Sequence, residues 1–549
     1  MATARLRRIA GATCVAVLLV GLSPTSAAGA PVKPRPGTTT ADRTTINRDG
    51  AGLDVQRVRT SGTAAPKLAA AATISRLDID RDGRDEIVAG GFLSRGYGVV
   101  VTYSGLPQRD YITAPITSPT RPNFGDSMTS GDFNGDGYAD LVVGNPGEFT
   151  ATGAAFGGAA WIFYGSATGL DLDRRQHLNQ DTTGVPGEMS GYDMFAGALA
   201  AGDVNGDGRD DLAVGAYGET VGGVANTGSV TLFYGSPTGL STANVQLLTS
   251  QPAVLNAGFG TSLAIGDTTG DGYAELAVGA PYHGDDYLNP YRGGFVTLLR
   301  GGPSGITTTG STLLNGLDLE SRGIGDETVI ADIDGDGDGD VVTSAPRSWI
   351  GYIAYVPGTP SGMDIAKATV ISMETPGVPG DPHAYVEGGS PHSSFGHALS
   401  TGDVTGDGRA DVLTGAMGYD AGTVRDGGAV LLIPGTAQGL TGAGSVMLIP
   451  GTPNGPLHDQ QPNPLGSPAT EDYFGEATSI LNLDGTGPLD MLVSGSRVGD
   501  SGLMVEVDLW YTVKRRPTDT RTLAGLIVAD VWTGSDLGVY TLGHTLLHR

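Results

Sequence analysis

A single cysteine among 549 residues, Cys14, excludes an internal disulfide framework and a cysteine-built zinc site. Basic side chains are scarce: 32 Lys and Arg stand against 59 Asp and Glu, a formal charge of -27. A field of that sign repels phosphate backbones and anionic lipid surfaces, so nucleic acid is not expected as a partner. Apart from residues 9–22 there is no long apolar run, and that one falls short of the roughly 20 residues a helix needs to cross a bilayer, so no membrane span is expected. Phenylalanine is also sparse, with 12 residues against 90 Gly and 32 Pro. Without a collagen-like period, this composition implies many turns between short strands and an all-β chain.

What is present begins with a targeting pattern. Arg5, Arg7 and Arg8 precede the apolar run, and Ser26-Ala27-Ala28-Gly29-Ala30 offers small residues for cleavage after Ala28 or Ala30. Residues 1–30 therefore read as a secretory signal and the protein as extracellular. Residues 31–67, rich in Pro, Thr, Ala and Gly, read as a flexible leader. Cys14 lies inside the signal, so the mature protein is expected to have no thiol. Packing, closure of a sheet or metal ions must then hold it together.

The remainder repeats. DIDRDGRDE from Asp78, DFNGDGYAD from Asp132, DVNGDGRDD from Asp203, DTTGDGYAE from Asp267, DIDGDGDGD from Asp332 and DVTGDGRAD from Asp403 share one pattern, and NLDGTGPLD from Asn482 is a worn seventh copy. Upstream stands a Phe-Gly pair at 124, 259, 395 and 474, with Phe195-Ala196-Gly197 and Ile324-Gly325 as variants. Downstream comes an apolar strand ending in Gly-Ala-Pro or a relative, as at 276–281, and later a turn such as FYGSPTGL from Phe233. Four short strands per unit predict a β-propeller, whose sheets bury their faces only by stacking in a ring.

Acids at alternate positions repel unless their oxygens converge on a cation. A hard ion such as Ca²⁺ takes 6 to 8 oxygen ligands, and the glycine at the sixth position permits the closing bend. An EF-hand would need an acid at the twelfth position, where the third loop has Val214. Here the ninth residue closes the loop, so the site lies between two strands of a hairpin. Magnesium, which keeps its waters, fits an all-protein cage less well. The predicted ligands, counting the backbone carbonyl of the seventh residue, are Asp78, Asp80, Asp82, Arg84 and Glu86; Asp132, Asn134, Asp136, Tyr138 and Asp140; Asp203, Asn205, Asp207, Arg209 and Asp211; Asp267, Thr269, Asp271, Tyr273 and Glu275; Asp332, Asp334, Asp336, Asp338 and Asp340; Asp403, Thr405, Asp407, Arg409 and Asp411. Thr269 and Thr405 lower the ligand charge of two loops, and the seventh, from Asn482 to Asp490, is the weakest.

The Phe-Gly opening, the acidic loop and the Gly-Ala-Pro close resemble FG-GAP repeats, the blades of the seven-bladed propeller at the amino end of integrin α subunits. The likeness covers about residues 68–515. It implies an all-β, seven-bladed β-propeller over 68–531 with structural calcium, and adhesion or ligand binding as the role. Residues 532–549 are a tail or a closing strand. The stretches at 505–511 and 523–531 would complete the last blade, and a strand from either terminus would close the ring. There is no Arg-Gly-Asp tripeptide. The family also includes propellers beside catalytic domains, as in the phospholipase D that cleaves glycosyl-phosphatidylinositol anchors.

Strand parity puts the acidic loop and the FYGSPTGL-type turn at one end of the ring, leaving the second-to-third loops and the inter-blade links at the other. Tyr217, Tyr282, His283, Tyr287, Tyr291, Arg292 and Tyr419 fall in those loops, a composition suited to a binding surface. The expected partner is an extracellular protein or glycan, met by a monomer. The rival is a secreted hydrolase or lyase acting on a glycan or phospholipid ester. Neither Gly-x-Ser-x-Gly nor His-Glu-x-x-His occurs; Gly499-Asp500-Ser501-Gly502 lacks a histidine context, and His383, His392 and His397 form the one histidine cluster.

Overall fold

Short apolar strands broken by glycine turns bury their faces here by stacking sheet against sheet. The computed structural model describes residues 42–46, 53–59, 77–93, 96–114, 123–250, 253–282, 293–319, 322–348, 350–384, 393–449, 473–485, 488–495, 509–515, 526–533 and 539–546. They belong to one compact unit, Ala41–Arg549. Among the described residues the helical elements are two 3₁₀ turns, Gly316–Leu319 and Ile365–Lys367, and no helix is long and apolar enough to cross a membrane. The predicted signal, residues 1–30, lies outside the described residues. The fold is an all-β propeller.

Met128–Gly131, Asp140–Asn145, Ala159–Tyr164 and Asp171–Leu178 pair in chain order, each antiparallel to the next. Sheets of the same order are built around the loops at 203, 267, 332, 403 and 482. The second and third strands are buried along nearly their whole length, whereas fourth strands such as Ser241–Thr249 and Thr307–Asn315 are largely half-buried or exposed. First strands of successive sheets pack against one another, so the sheets turn about a shared centre. The sheet at the 267 loop carries a fifth strand, Arg322–Ile324, which runs parallel to Gly293–Arg300. Leu509–Arg515 and Leu526–Thr533 are the third and fourth strands of the last sheet, close to where the sequence put them.

The remaining sheet departs from the repeat. Its order is Asp42–Ile46, Asp54–Arg59, Gln108–Thr113, Gly96–Thr102, Ile87–Leu93 and Val539–Leu546. The stretch expected to be a flexible leader therefore supplies two strands. Arg57 is one reason, since its guanidinium holds Asp110 through two hydrogen bonds of 2.7 and 2.6 Å and also donates to the Leu170 carbonyl. Of the two closing options, the carboxyl end takes the edge of Ile87–Leu93.

The Phe-Gly and Gly-Ala-Pro pairs meet across the seam between sheets. Phe195, Phe395 and Phe474 bridge in parallel to Gly158, Gly351 and Gly428 of the preceding sheet and are wholly buried. The following glycine is left-handed, with φ of 94° at Gly125, 90° at Gly260 and 93° at Gly475, a conformation open to residues without a Cβ. Its carbonyl presses on the glycine of the neighbouring Gly-Ala-Pro strand. A Cβ on Gly215 would lie 2.2 Å from the Gly260 oxygen, and one on Gly415 would lie 2.0 Å from that of Gly475.

Candidate metal centres

Each acidic loop after the first joins the first and second strands of its sheet, the first leads into Ile87–Leu93, and the first carboxylate caps the bend. Asp132 Oδ1 accepts the amides of Gly135 and Asp136 at 2.7 and 3.1 Å, and Oδ2 accepts that of Gly137 at 2.8 Å. Asp203 and Asp403 repeat the arrangement. The fifth-position carboxylate accepts the amide of the seventh residue, as Asp82 does from Arg84, Asp136 from Tyr138, Asp271 from Tyr273 and Asp336 from Asp338. Arg84, Arg209 and Arg409 also ion-pair through their side chains with Asp82, Asp207 and Asp407. The sixth-position glycines of the first six loops have positive φ, from 83° at Gly137 and Gly208 to 98° at Gly337.

At the ninth position the loops split into two kinds. Asp140, Asp211, Asp340 and Asp411 are buried and use both oxygens. One accepts the amide of the loop's second residue; the other accepts a glycine amide in the distant third-to-fourth-strand turn, at Gly165, Gly235, Gly358 and Gly435. The acidic loop and that turn therefore share one end of the sheet, as parity requires. Glu86 and Glu275 instead put one oxygen on Ile79 and Thr268, and their Oε1 atoms are buried with no hydrogen-bond partner, as is Thr269 Oγ1.

Electrostatics sharpens the point. Burial, aided by neighbouring carboxylates, pushes Asp140 up to about 8, Asp211 and Asp340 to about 7 and Asp411 to about 6. The same causes raise Glu86 well above the usual carboxylate range and lift Asp78 and Glu275. Asp78, Asp80, Asp82 and Glu86, all buried, bring four carboxylate oxygens within 4.8 Å of one another, and Asp332, Asp334 and Asp340 bring three. Crowded, desolvated oxygens with unmet acceptors suit a hard divalent cation. The third-position residues are Asn, Thr or Asp; Asn134 and Asn205 accept the amides of Asp136 and Asp207. In the worn loop, Asp490 accepts the Leu483 amide at 3.2 Å, while residues 486 and 487 lie outside the described residues.

The loops are also tied to each other. The eighth amide of each donates to the first carbonyl of the loop before it: Ala139 to Asp78, Asp210 to Asp132, Ala274 to Asp203, Gly339 to Asp267, Ala410 to Asp332 and Leu489 to Asp403. Asp85 donates to Asn482, so the last loop is joined to the first.

At the opposite end, Tyr282 is half-buried, bonds Arg347 through its hydroxyl at 2.9 Å and lies under that guanidinium. Tyr217 is half-buried and Tyr419 buried. His283, Tyr287, Tyr291 and Arg292 lie outside the described residues, as do Gly499-Asp500-Ser501-Gly502 and His392. His383 pairs with Glu374 at 3.3 Å, and His397 sits on Phe395–Gly402 with its pKa lowered by burial. Sequence reasoning missed Phe156 and Tyr192. Their rings stack at 5.5 Å, both have positive φ (64° and 73°), and Tyr192 is 66% exposed. An aromatic residue in an otherwise small-residue, glycine-rich loop was the available signal. Glu148 anchors that loop by accepting the amides of Gly157 and Gly158.

A family model described as the FG-GAP repeat matches residues 124–163, 195–233, 259–299 and 395–433, and an FG-GAP-like repeat matches 78–143. These blades are FG-GAP repeats. Similar proteins include the phosphatidylinositol-glycan-specific phospholipase D of Bos taurus, 35% identical over 176 residues, which is 31% of this chain and 20% of that protein. Integrin alpha-IIb of Mus musculus is 36% identical over 29% of the chain and 15% of its own length, and integrin alpha-PS5 of Drosophila melanogaster is 36% identical over 26% and 14%. The chain thus spans a fifth or less of the length of each of these three relatives.

Proposed function

We propose that this chain is a secreted, calcium-stabilised, seven-bladed β-propeller that binds an extracellular protein or glycan as a monomeric adhesion or recognition module. Support for seven blades comes from the loop-to-loop hydrogen bonds, which run from the first loop to the last and back. On this reading residues 68–531 form the propeller, with the closing strand drawn from 532–549. The ions are held by the loop carboxylates, with the unmet oxygens of Glu86, Glu275 and Thr269 supplying the argument for them. The integrin relatives agree with such a role.

The observation that carries the binding role is the Phe156–Tyr192 stack. Two bulky residues held at positive φ are strained by about 1–2 kcal/mol each, and an exposed Tyr192 ring backed by the half-buried Phe156 offers contact area at little entropic cost. A glycan and surface-protein array, probed with and without calcium, tests it. Binding that Phe156→Ala and Tyr192→Ala weaken at least tenfold is expected; binding indifferent to both overturns this assignment of the face. The named activity of the phospholipase D relatives motivates a hydrolase panel run in parallel, where turnover would favour the enzymatic reading.

A further inference from the structure

The acidic loops overlap like tiles. At four seams the seventh-position side chain of one loop lies over the fourth-position glycine of the loop before it: Arg209 over Gly135, Tyr273 over Gly206, Arg409 over Gly335 and Pro488 over Gly406. At a fifth seam the overlying group is a carboxylate. Asp338 Oδ1 would stand 2.5 Å from a Cβ on Gly270, which places this acid of the fifth loop against the backbone of the fourth. The charges acting on Asp338 belong to both loops: Asp336, Asp332 and Asp334 on its own and Asp267 on the neighbour.

The fourth loop is the one that needs help. Its third position is Thr269, so it has one acid fewer than the fifth loop at that place. Thr269 Oγ1 and Glu275 Oε1 are nevertheless buried without a hydrogen-bond partner, and the other Glu275 oxygen bonds Thr268 across the loop. Those unmet oxygens point to a ligand in the fourth loop independently of its acidity. In the fifth loop Asp332, Asp334 and Asp340 bring oxygens within 4.8 Å of one another.

We infer that Asp338 serves two divalent-cation sites at once, as part of the fifth loop and as a neighbouring charge that strengthens the fourth. This rests on the loops being cation sites, as proposed above. Asp338 is not assigned as a side-chain ligand of the fourth site; it acts through space. A unit charge about 5–10 Å from a dication in a partly solvated setting changes affinity by roughly three- to tenfold. The second loop lies under Arg209 and the fifth under Arg409, charges of the opposite sign, so the fourth site, under Asp338, should be tighter than the second.

The experiment is calorimetric titration of calcium chloride into the decalcified full chain at low ionic strength, with circular dichroism to verify folding. Asp338→Asn should weaken two sites by roughly three- to tenfold each, and the effect should shrink in high salt. Asp338→Arg, which installs the residue that other seams accommodate, should weaken the same two sites further. Asp271→Asn, in the fourth loop, removes one of the pair, and adding Asp338→Asn to it should then weaken a single remaining site. If Asp338→Asn alters one site or none while wild type binds calcium, the two-site role is wrong and the cation reading stands. If wild type binds no calcium at all, both fall.

Discussion

Aspartate and glutamate at the ninth loop position are not interchangeable here. The shorter acid reaches two amides at once, one in its own loop and one in a turn 24 residues away, as Asp211 does with Val204 and Gly235. The longer acid reaches only the first and leaves an oxygen unmet. Asp211→Ala should therefore destabilise the fold by about 2–4 kcal/mol even in EDTA, because two buried amides lose their acceptor. Glu275→Gln should do the reverse in EDTA, raising the melting temperature slightly by removing a buried charge, and lower it when calcium is present. Melting curves of both variants in each condition check the contrast. The alternation of acids was legible in the sequence because it recurs in register. The second hydrogen bond of the ninth aspartate was not, since its partner is set by sheet geometry and carries no acidic signature.

The same aspartates give the ion-free protein a defined pH response. In an unfolded chain they titrate near 3.9, whereas burial raises Asp411 to about 6, Asp211 and Asp340 to about 7 and Asp140 to about 8. Between those limits the folded state holds protons that the unfolded state has released. Stability is thus fully present below about pH 4 and is lost as pH rises toward about 8. A bound dication favours the ionised form and should flatten the profile. Melting temperatures of EDTA-treated protein that climb across this interval would contradict the assignment.

At the scale of the element, the seam between sheets depends on two glycines for different reasons. The first must adopt positive φ, and Ala196, at φ 62°, shows that one seam tolerates a Cβ there. At Gly215 and Gly415 the second has no room for a Cβ, because a carbonyl of the next sheet occupies that space, whereas Ser344 fills the same place in another sheet. Gly215→Ala and Gly415→Ala should each cost about 2–3 kcal/mol through forced separation of the sheets, read as a lowered denaturation midpoint. An unchanged midpoint would mean that the seam can open freely. Both motifs were visible as repeats, yet their contact across the seam was not: neither glycine reveals which backbone approaches it. The leader shows the opposite failure. Asp54–Arg59 has only weak alternation, and its place in a sheet follows from pairing with Gln108–Thr113 and from the Arg57–Asp110 ion pair, which are long-range facts.

For the whole molecule the decisive feature is how the ends meet. Val539–Leu546 carries no acidic loop and no Phe-Gly pair, so the sequence left either terminus free to close the ring; the structure pairs this strand with Ile87–Leu93. That strand begins immediately after Glu86, the last residue of the loop in which four buried carboxylates converge. Removing residues 539–549 would bare the edge of Ile87–Leu93, where Val88 and Ala89 are buried, and would leave the Asp85–Asn482 hydrogen bonds and the packing of Leu481 and Leu492 to hold the first sheet to the last. An unpaired edge of that kind recruits other chains. The truncated protein should melt at a lower temperature than any single-seam glycine variant and should elute as dimers or larger species in size-exclusion chromatography. A truncation that stays monomeric with an unshifted melting curve would show that those hydrogen bonds and that packing suffice to hold the ring.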